Sequence, residues 1–84
     1  MRELRPWNVR KGDQFTILDT ISIPARTLTF EATSDAIADR NRFSGERVWL
    51  IPRELVKTSD GKPCHYSGEV SRVYSDERVT VTNR

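Results

Sequence analysis

The chain has 84 residues, 36% of them hydrophobic and 31% charged, and its 14 basic and 12 acidic side chains leave a formal net charge of +2. A chain this short buries only about 60–65% of the surface it exposes when unfolded, so it has room for one small core and little for an enclosed substrate pocket. That balance excludes a disordered chain, which would carry fewer apolar residues and a larger net charge, and it excludes the field of a histone-like protein.

The positive charge is nearly all arginine, with lysine only at Lys11, Lys57 and Lys62. Arginine binds phosphate and carboxylate bidentately and stacks on aromatic rings. The plainer reading is a GC-rich bacterial or phage coding sequence, because arginine replaces lysine along the whole chain and not at one place. The single cysteine, Cys64, permits no intramolecular disulfide, which fits a reducing compartment. The first residues lack the apolar stretch of a signal peptide, and no segment approaches the ~18 apolar residues of a membrane helix. The expectation is a soluble cytoplasmic protein of one domain, 1–84, with an irregular basic arm at 1–12 and a β core at 13–84.

In the arm, Arg2, Arg5, Arg10 and Lys11 surround Trp7, and Pro6 pushes Arg5 towards extended backbone. Trp7 is expected to fold back over one end of the core. Lys11-Gly12-Asp13 reads as a turn into a strand. From Asp13 to Ile23 the pattern has period two, with Phe15, Ile17, Ile21 and Ile23 inward; Asp19 breaks that face and predicts a bend nearby. Residues 26–33 alternate cleanly, with Leu28, Phe30 and Ala32 inward.

Residues 34–45 support two readings. Ser34 and Asp35 could cap a short helix over 35–42, with Arg40 and Arg42 in its last turn and Gly45 beyond it. Equally, the segment could be a polar hairpin loop. Val48-Trp49-Leu50-Ile51 is the densest apolar run, apolar on both alternate faces, and reads as a short central strand that other strands flank. Pro52 predicts its end and a helical turn at 52–56. After a loop at 58–63, residues 69–74 and 78–82 read as a hairpin, with Val79 and Val81 inward.

The total is about five short strands, which predicts a mainly β protein: a small antiparallel barrel or curled sheet, SH3-like or OB-like. The turn at Lys11-Gly12-Asp13 and the helical turn at 52–56 resemble SH3-like barrels in pattern. That resemblance implies an architecture and no function.

No residues here make a convincing catalytic centre. His65 and Cys64 are the only residues of their kinds, and as neighbours on extended chain they point to opposite sides, whereas a nucleophile and its base must meet within ~3 Å. Two such residues cannot make a four-ligand zinc site, and the four glycines are scattered through separate turns and form no phosphate loop. No cofactor or metal is expected. Two clusters interleave cations with an aromatic ring: Trp7 with Arg2, Arg5, Arg10 and Lys11, and Arg40, Arg42 and Arg47 with Phe43. That is the composition of a surface that tracks a nucleic-acid strand. Asn41 adds a side chain able to read base edges. The expectation is a non-enzymatic binding module that contacts nucleic acid or a nucleoprotein assembly through Arg40, Asn41, Arg42, Arg47, Trp7, Arg10 and Lys11. The alternative is a protein–protein module that pairs an edge strand with a partner or dimerises.

Overall fold

A computed structural model describes residues 1–62 and 69–84. Cys64, His65 and Tyr66 lie outside the described residues. The fold is mainly β, a curled antiparallel half-barrel with seven strands among the described residues: β1 (Arg2–Leu4), β2 (Gln14–Asp19), β3 (Arg26–Ala32), β4 (Ile37–Arg40), β5 (Arg47–Thr58), β6 (Val70–Tyr74) and β7 (Val79–Val81). The order is β1-β7-β2-β3-β5-β4, with β6 on the other edge of β5.

The expected central strand is central, but it is longer than its apolar run. β5 does not stop at Pro52, and the helical turn at 52–56 is strand. Proline breaks a ladder only where its missing N–H was needed. Here the Pro52 carbonyl accepts the Thr33 N–H at 2.9 Å, on the edge of β5 where β3 ends and β4 has not begun. The reciprocal bond, from a residue-52 N–H to the Thr33 carbonyl, is the one proline cannot make, so pairing along that edge is interrupted there, while β6 on the other edge carries β5 past it. β3 and β4 therefore lie end to end along one edge of β5, and residues 26–58 form one long bent hairpin.

The short helix at 35–42 is also absent. Ile37–Arg40 is extended and pairs with β5, Ile37 opposite Leu50 and Arg40 opposite Arg47. An isolated helix of two turns has little to stabilise it, whereas extended chain here gains a ladder along an existing strand. The arm is more regular than its composition implied: β1 pairs with β7, and Pro6–Asn8 makes one 3-10 turn. Leu4, Pro6 and Val9 bury themselves and hold it down. The expected hairpin of 69–74 with 78–82 separates: β6 joins β5, while β7 runs between β1 and β2.

The core gathers Phe15, Leu28, Phe30, Ala32, Ile51, Val79 and Val81 beneath the arm's Leu4 and Val9. Phe15 and Phe30 face each other across β2 and β3 with ring centroids 6.0 Å apart. Arg53 is buried among them. Its guanidinium lies 4.1 Å over the Phe30 ring and donates to Ser71 Oγ. The ring face and the hydroxyl replace part of the lost hydration.

β2 ends at Asp19, the position marked by its break in the apolar face. The Asp19 carboxylate accepts the Ile21 and Ser22 N–H groups and the Ser22 hydroxyl, and it pairs with Arg26 Nε at 3.1 Å. This turn directs Ile21 and Ile23 into solvent instead of inward. At the other end Arg84 binds the Asp13 carboxylate and the Asn8 carbonyl, tying the C-terminal residue to the arm.

Two predictions follow from the packing. Phe15→Ala should cost about 3–5 kcal/mol, whereas Trp49→Ala, which empties a half-buried site, should cost about 2–3 kcal/mol. Urea unfolding followed by tryptophan fluorescence for the first variant, and by circular dichroism for the second, checks that order. The second prediction concerns acid. The hydrogen bond from Arg84 lowers the Asp13 pKa, and hydrogen bonds from Ser22 and then Arg26 lower that of Asp19. A carboxyl whose pKa is depressed by folding contributes stability at pH above its unfolded value, near 3.8, and loses that contribution as pH falls through the folded value. Stability should therefore drop below about pH 4, and Asp19→Asn should be less stable than the parent at neutral pH with a shallower acid limb.

Candidate nucleic-acid interface

The Arg-bearing segment is the free end of the long hairpin. Asn41 builds it. Its Oδ1 accepts the Phe43 N–H at 2.8 Å and the Ser44 N–H at 3.2 Å, closing a turn over 42–44. Its Nδ2 donates to the Tyr74 hydroxyl on β6 at 3.3 Å. The Asn41 carbonyl accepts from Gly45, and the Asn41 N–H donates to Glu46, with Gly45 at φ 72°. Two residues on one strand thus oppose one on the other, the glycine bulge that commonly closes three-residue hairpins. Asn41, expected to read base edges, instead has both ends of its amide engaged in positioning the loop.

The loop presents Arg42 and a Phe43 whose ring is fully exposed. Asp39, Arg40, Asn41, Arg42, Phe43 and Arg72 surround a shallow cavity of about 400 Å³. Arg72 reaches this place from β6, which runs beside β5 with Arg72 opposite Leu50. Nothing local marks Arg72 as part of the cluster. Only the register of a strand more than twenty residues downstream brings it there, and reading 69–74 as paired with 78–82 hides it.

Arg40 and Arg47 are directly opposite each other, so their side chains leave the sheet on one face. The same face holds Ala38, Trp49 and Ile51 further along. Ile51 is fully buried and Trp49 half-buried, and the core ends before Arg47 is reached. Trp7 covers Trp49 with ring centroids 6.0 Å apart, and the Arg5 guanidinium lies 6.0 Å from the centre of the Trp7 ring. Two rings, Trp7 and Trp49, thus lie between Arg5 at one end and Arg47 with Arg40 at the other. Trp7 folds back as expected while keeping 39% of its surface exposed. The Trp49 Nε1 is buried and has no hydrogen-bond partner among the described residues.

Arg10 and Lys11 are only neighbours of these rings. The Arg10 guanidinium donates to the Trp7 carbonyl, and the Lys11 N–H donates to Asp35, which together fasten the arm beside the approach to β4. The structure thus gathers Arg40, Asn41 and Arg42 with Arg72 around one cavity, sets Arg40 opposite Arg47 on the sheet face that also holds Trp49 and is turned away from that of Arg72, joins Trp7 through Trp49, and leaves Arg10 and Lys11 on the supporting turn.

Among the described residues three ion pairs occur, Arg26 with Asp19 and Asp60, and Arg84 with Asp13; none involves Arg40, Arg42, Arg47 or Arg72. Asp39 and Glu46 lie close in sequence yet within ion-pair distance of none of these four. Like charges directly opposite on a ladder destabilise it, so the Arg40–Arg47 pair costs on the order of 0.2–1 kcal/mol. Among the described residues no group of three or more acidic, His or Cys side chains is placed to hold a metal ion, and no helix is long and apolar enough to cross a membrane. No protein-family model, curated protein or solved structure matches this chain.

The turn itself can be tested. A Cβ at Gly45 meets no atom within 4 Å, so Gly45→Ala is penalised by backbone conformation alone. It should cost about 1–2 kcal/mol in thermal or urea unfolding, without changing the fold seen by circular dichroism.

Proposed function

We propose that this chain is a non-enzymatic binding module that grips a single-stranded nucleic acid along the free end of the 26–58 hairpin. The observation that carries this reading is the Arg40–Arg47 pair: two arginines set directly opposite each other on one face of the ladder, with no carboxylate paired to either among the described residues and the Arg40 guanidinium donating only to the Gly45 carbonyl at 3.2 Å. Left alone they repel. A phosphate between them turns that repulsion into two charge-assisted contacts. Arg42 carries the positive surface round the hairpin tip to Arg72 on the other face, and the exposed Phe43 offers a face on which a base can stack. The loop that carries these groups is already fixed by the Asn41 hydrogen bonds, which lowers the entropic cost of binding. Single strands suit the site better than duplex, because a projecting ring needs an unpaired base to stack on.

Fluorescence anisotropy with a labelled oligothymidine tests the reading. Four arginine–phosphate contacts predict a log–log salt slope of about −3, so affinity should fall roughly 50-fold between 50 and 200 mM salt. Phe43→Ala should weaken binding by about 1–3 kcal/mol. Arg47→Glu separates function from structure: it replaces a repulsive pair by an attractive one, so it should leave stability unchanged or raise it by up to about 1 kcal/mol while removing most of the binding. No binding at low salt would overturn the reading, as would binding that Arg47→Glu leaves intact.

A further inference from the structure

β6 and β7 follow one another across a tight turn, yet they belong to different parts of the sheet. β7 covers β2 only at Phe15 and Thr16, so the rest of that edge of β2 carries no strand among the described residues. The outer edge of β6 is bare in the same sense. The alternation of ladder bonds identifies the groups left over. Arg53 N–H donates to the Glu69 carbonyl at 2.9 Å, so residues 69, 71 and 73 turn their N–H and C=O groups towards β5. Val70 and Arg72 turn theirs away; the Tyr74 N–H, on the same side, is taken by the Glu77 carboxylate at 3.1 Å. On β2, the Thr82 N–H donates to the Gln14 carbonyl at 2.8 Å, which places the N–H and C=O of Leu18 on the uncovered edge.

A cleft of about 480 Å³ opens between these elements, a volume typical of binding clefts. Phe15, Ile17, Val73 and Val79 supply its apolar lining, and Arg72 and Arg78 stand at its rim. Neither rim arginine is in an ion pair among the described residues, and the one carboxylate of the cleft, Glu77, already holds the Tyr74 N–H. Val70 beside the cleft is 42% exposed.

We propose that this cleft receives an extended segment of a partner protein, alternating apolar and acidic side chains, as an added strand along β6. Strand addition supplies main-chain hydrogen bonds for affinity and side-chain pockets at every second residue for specificity. Val70 and Arg72 offer N–H and C=O groups at that spacing, a pattern that another β-strand matches and a phosphate backbone, which has only acceptors, does not. The apolar side chains of the segment enter the cleft, and its acidic side chains meet Arg72 and Arg78. The inserted strand extends the sheet towards β2 across the opening of the half-barrel.

The test uses the intact chain and a short, capped, fluorescent peptide alternating valine and glutamate. Anisotropy should show saturable binding, weakened at least about tenfold by Arg78→Glu, a residue away from the Arg-bearing hairpin. The same peptide N-methylated at alternate amides, titrated against the unaltered chain, should also lose about tenfold or more, and hydrogen exchange followed by NMR should slow at the Arg72 amide when the parent peptide binds. The proposal fails if the valine–glutamate peptide does not saturate, if the N-methylated peptide binds as well as its parent, or if a valine–lysine peptide binds equally. Displacement of the peptide by an oligothymidine from the Arg47→Glu variant, in which the nucleic-acid site of the hairpin is disabled, would show a phosphate site instead and would also overturn it.

Discussion

The molecule depends on one strand being hydrogen-bonded along both edges. β5 is 12 residues long, and its two halves serve different partners: the second half pairs with β3, while the first carries β4 on one edge and β6 on the other. Its faces are used as fully as its edges. Ile51 lies in the main core, Val48 is buried on the opposite face with Tyr74 directly across from it, and Arg53 is packed against Phe30. The hairpin end is therefore a protrusion from the most constrained element of the protein, which fixes Arg40 and Arg47 opposite each other on one face.

How far this could be read from the residues depended on the range of the interaction. Patterns confined to one strand were legible. Leu28, Phe30 and Ala32 face inward as their alternation implies, and so do Val79 and Val81. The break at Asp19 marks the end of β2, and Trp7 folds back onto the body of the protein. Beyond that break the alternation carries no information, because Ile21 and Ile23 belong to a turn that the Asp19 carboxylate organises, and both are exposed. Residues 34–45 were ambiguous for a chemical reason. Serine, aspartate, asparagine and glycine are the residues that cap helices, and they are also the residues that build turns with side-chain acceptors and left-handed glycines. Only the neighbouring strand decides between the two.

The same limit applied to the candidate site. Arg40, Arg42 and Arg47 are close in sequence, so their proximity was visible. That Arg40 and Arg47 oppose each other is a matter of register, fixed by where the turn closes on Gly45. Asn41 looked like a recognition residue because it sits among arginines; its hydrogen bonds make it a scaffold for them. Arg72 depends on β6 pairing with β5, and Arg53 on a buried environment that pairing creates, and neither has a local signature. Pro52 misled in the opposite direction, since it interrupts pairing along one edge only and β6 on the other edge carries the strand past it.

The placement of β7 between β1 and β2 has a consequence for how the chain reaches this structure. Arg2 lies opposite Val81, and the terminal ammonium of Met1 donates to the Arg84 carbonyl at 3.3 Å. β1 has no strand neighbour but β7 among the described residues, so nothing stabilises it until chain almost eighty residues away has arrived. The long 26–58 hairpin needs only neighbouring residues and can form first. Pairing strands this far apart in sequence carries a loop-closure entropy that local hairpins avoid, and topologies dominated by such non-local pairs fold more slowly than helical ones of similar size. Until β7 docks, the edge of β2 at Phe15 and Thr16 stands unpaired.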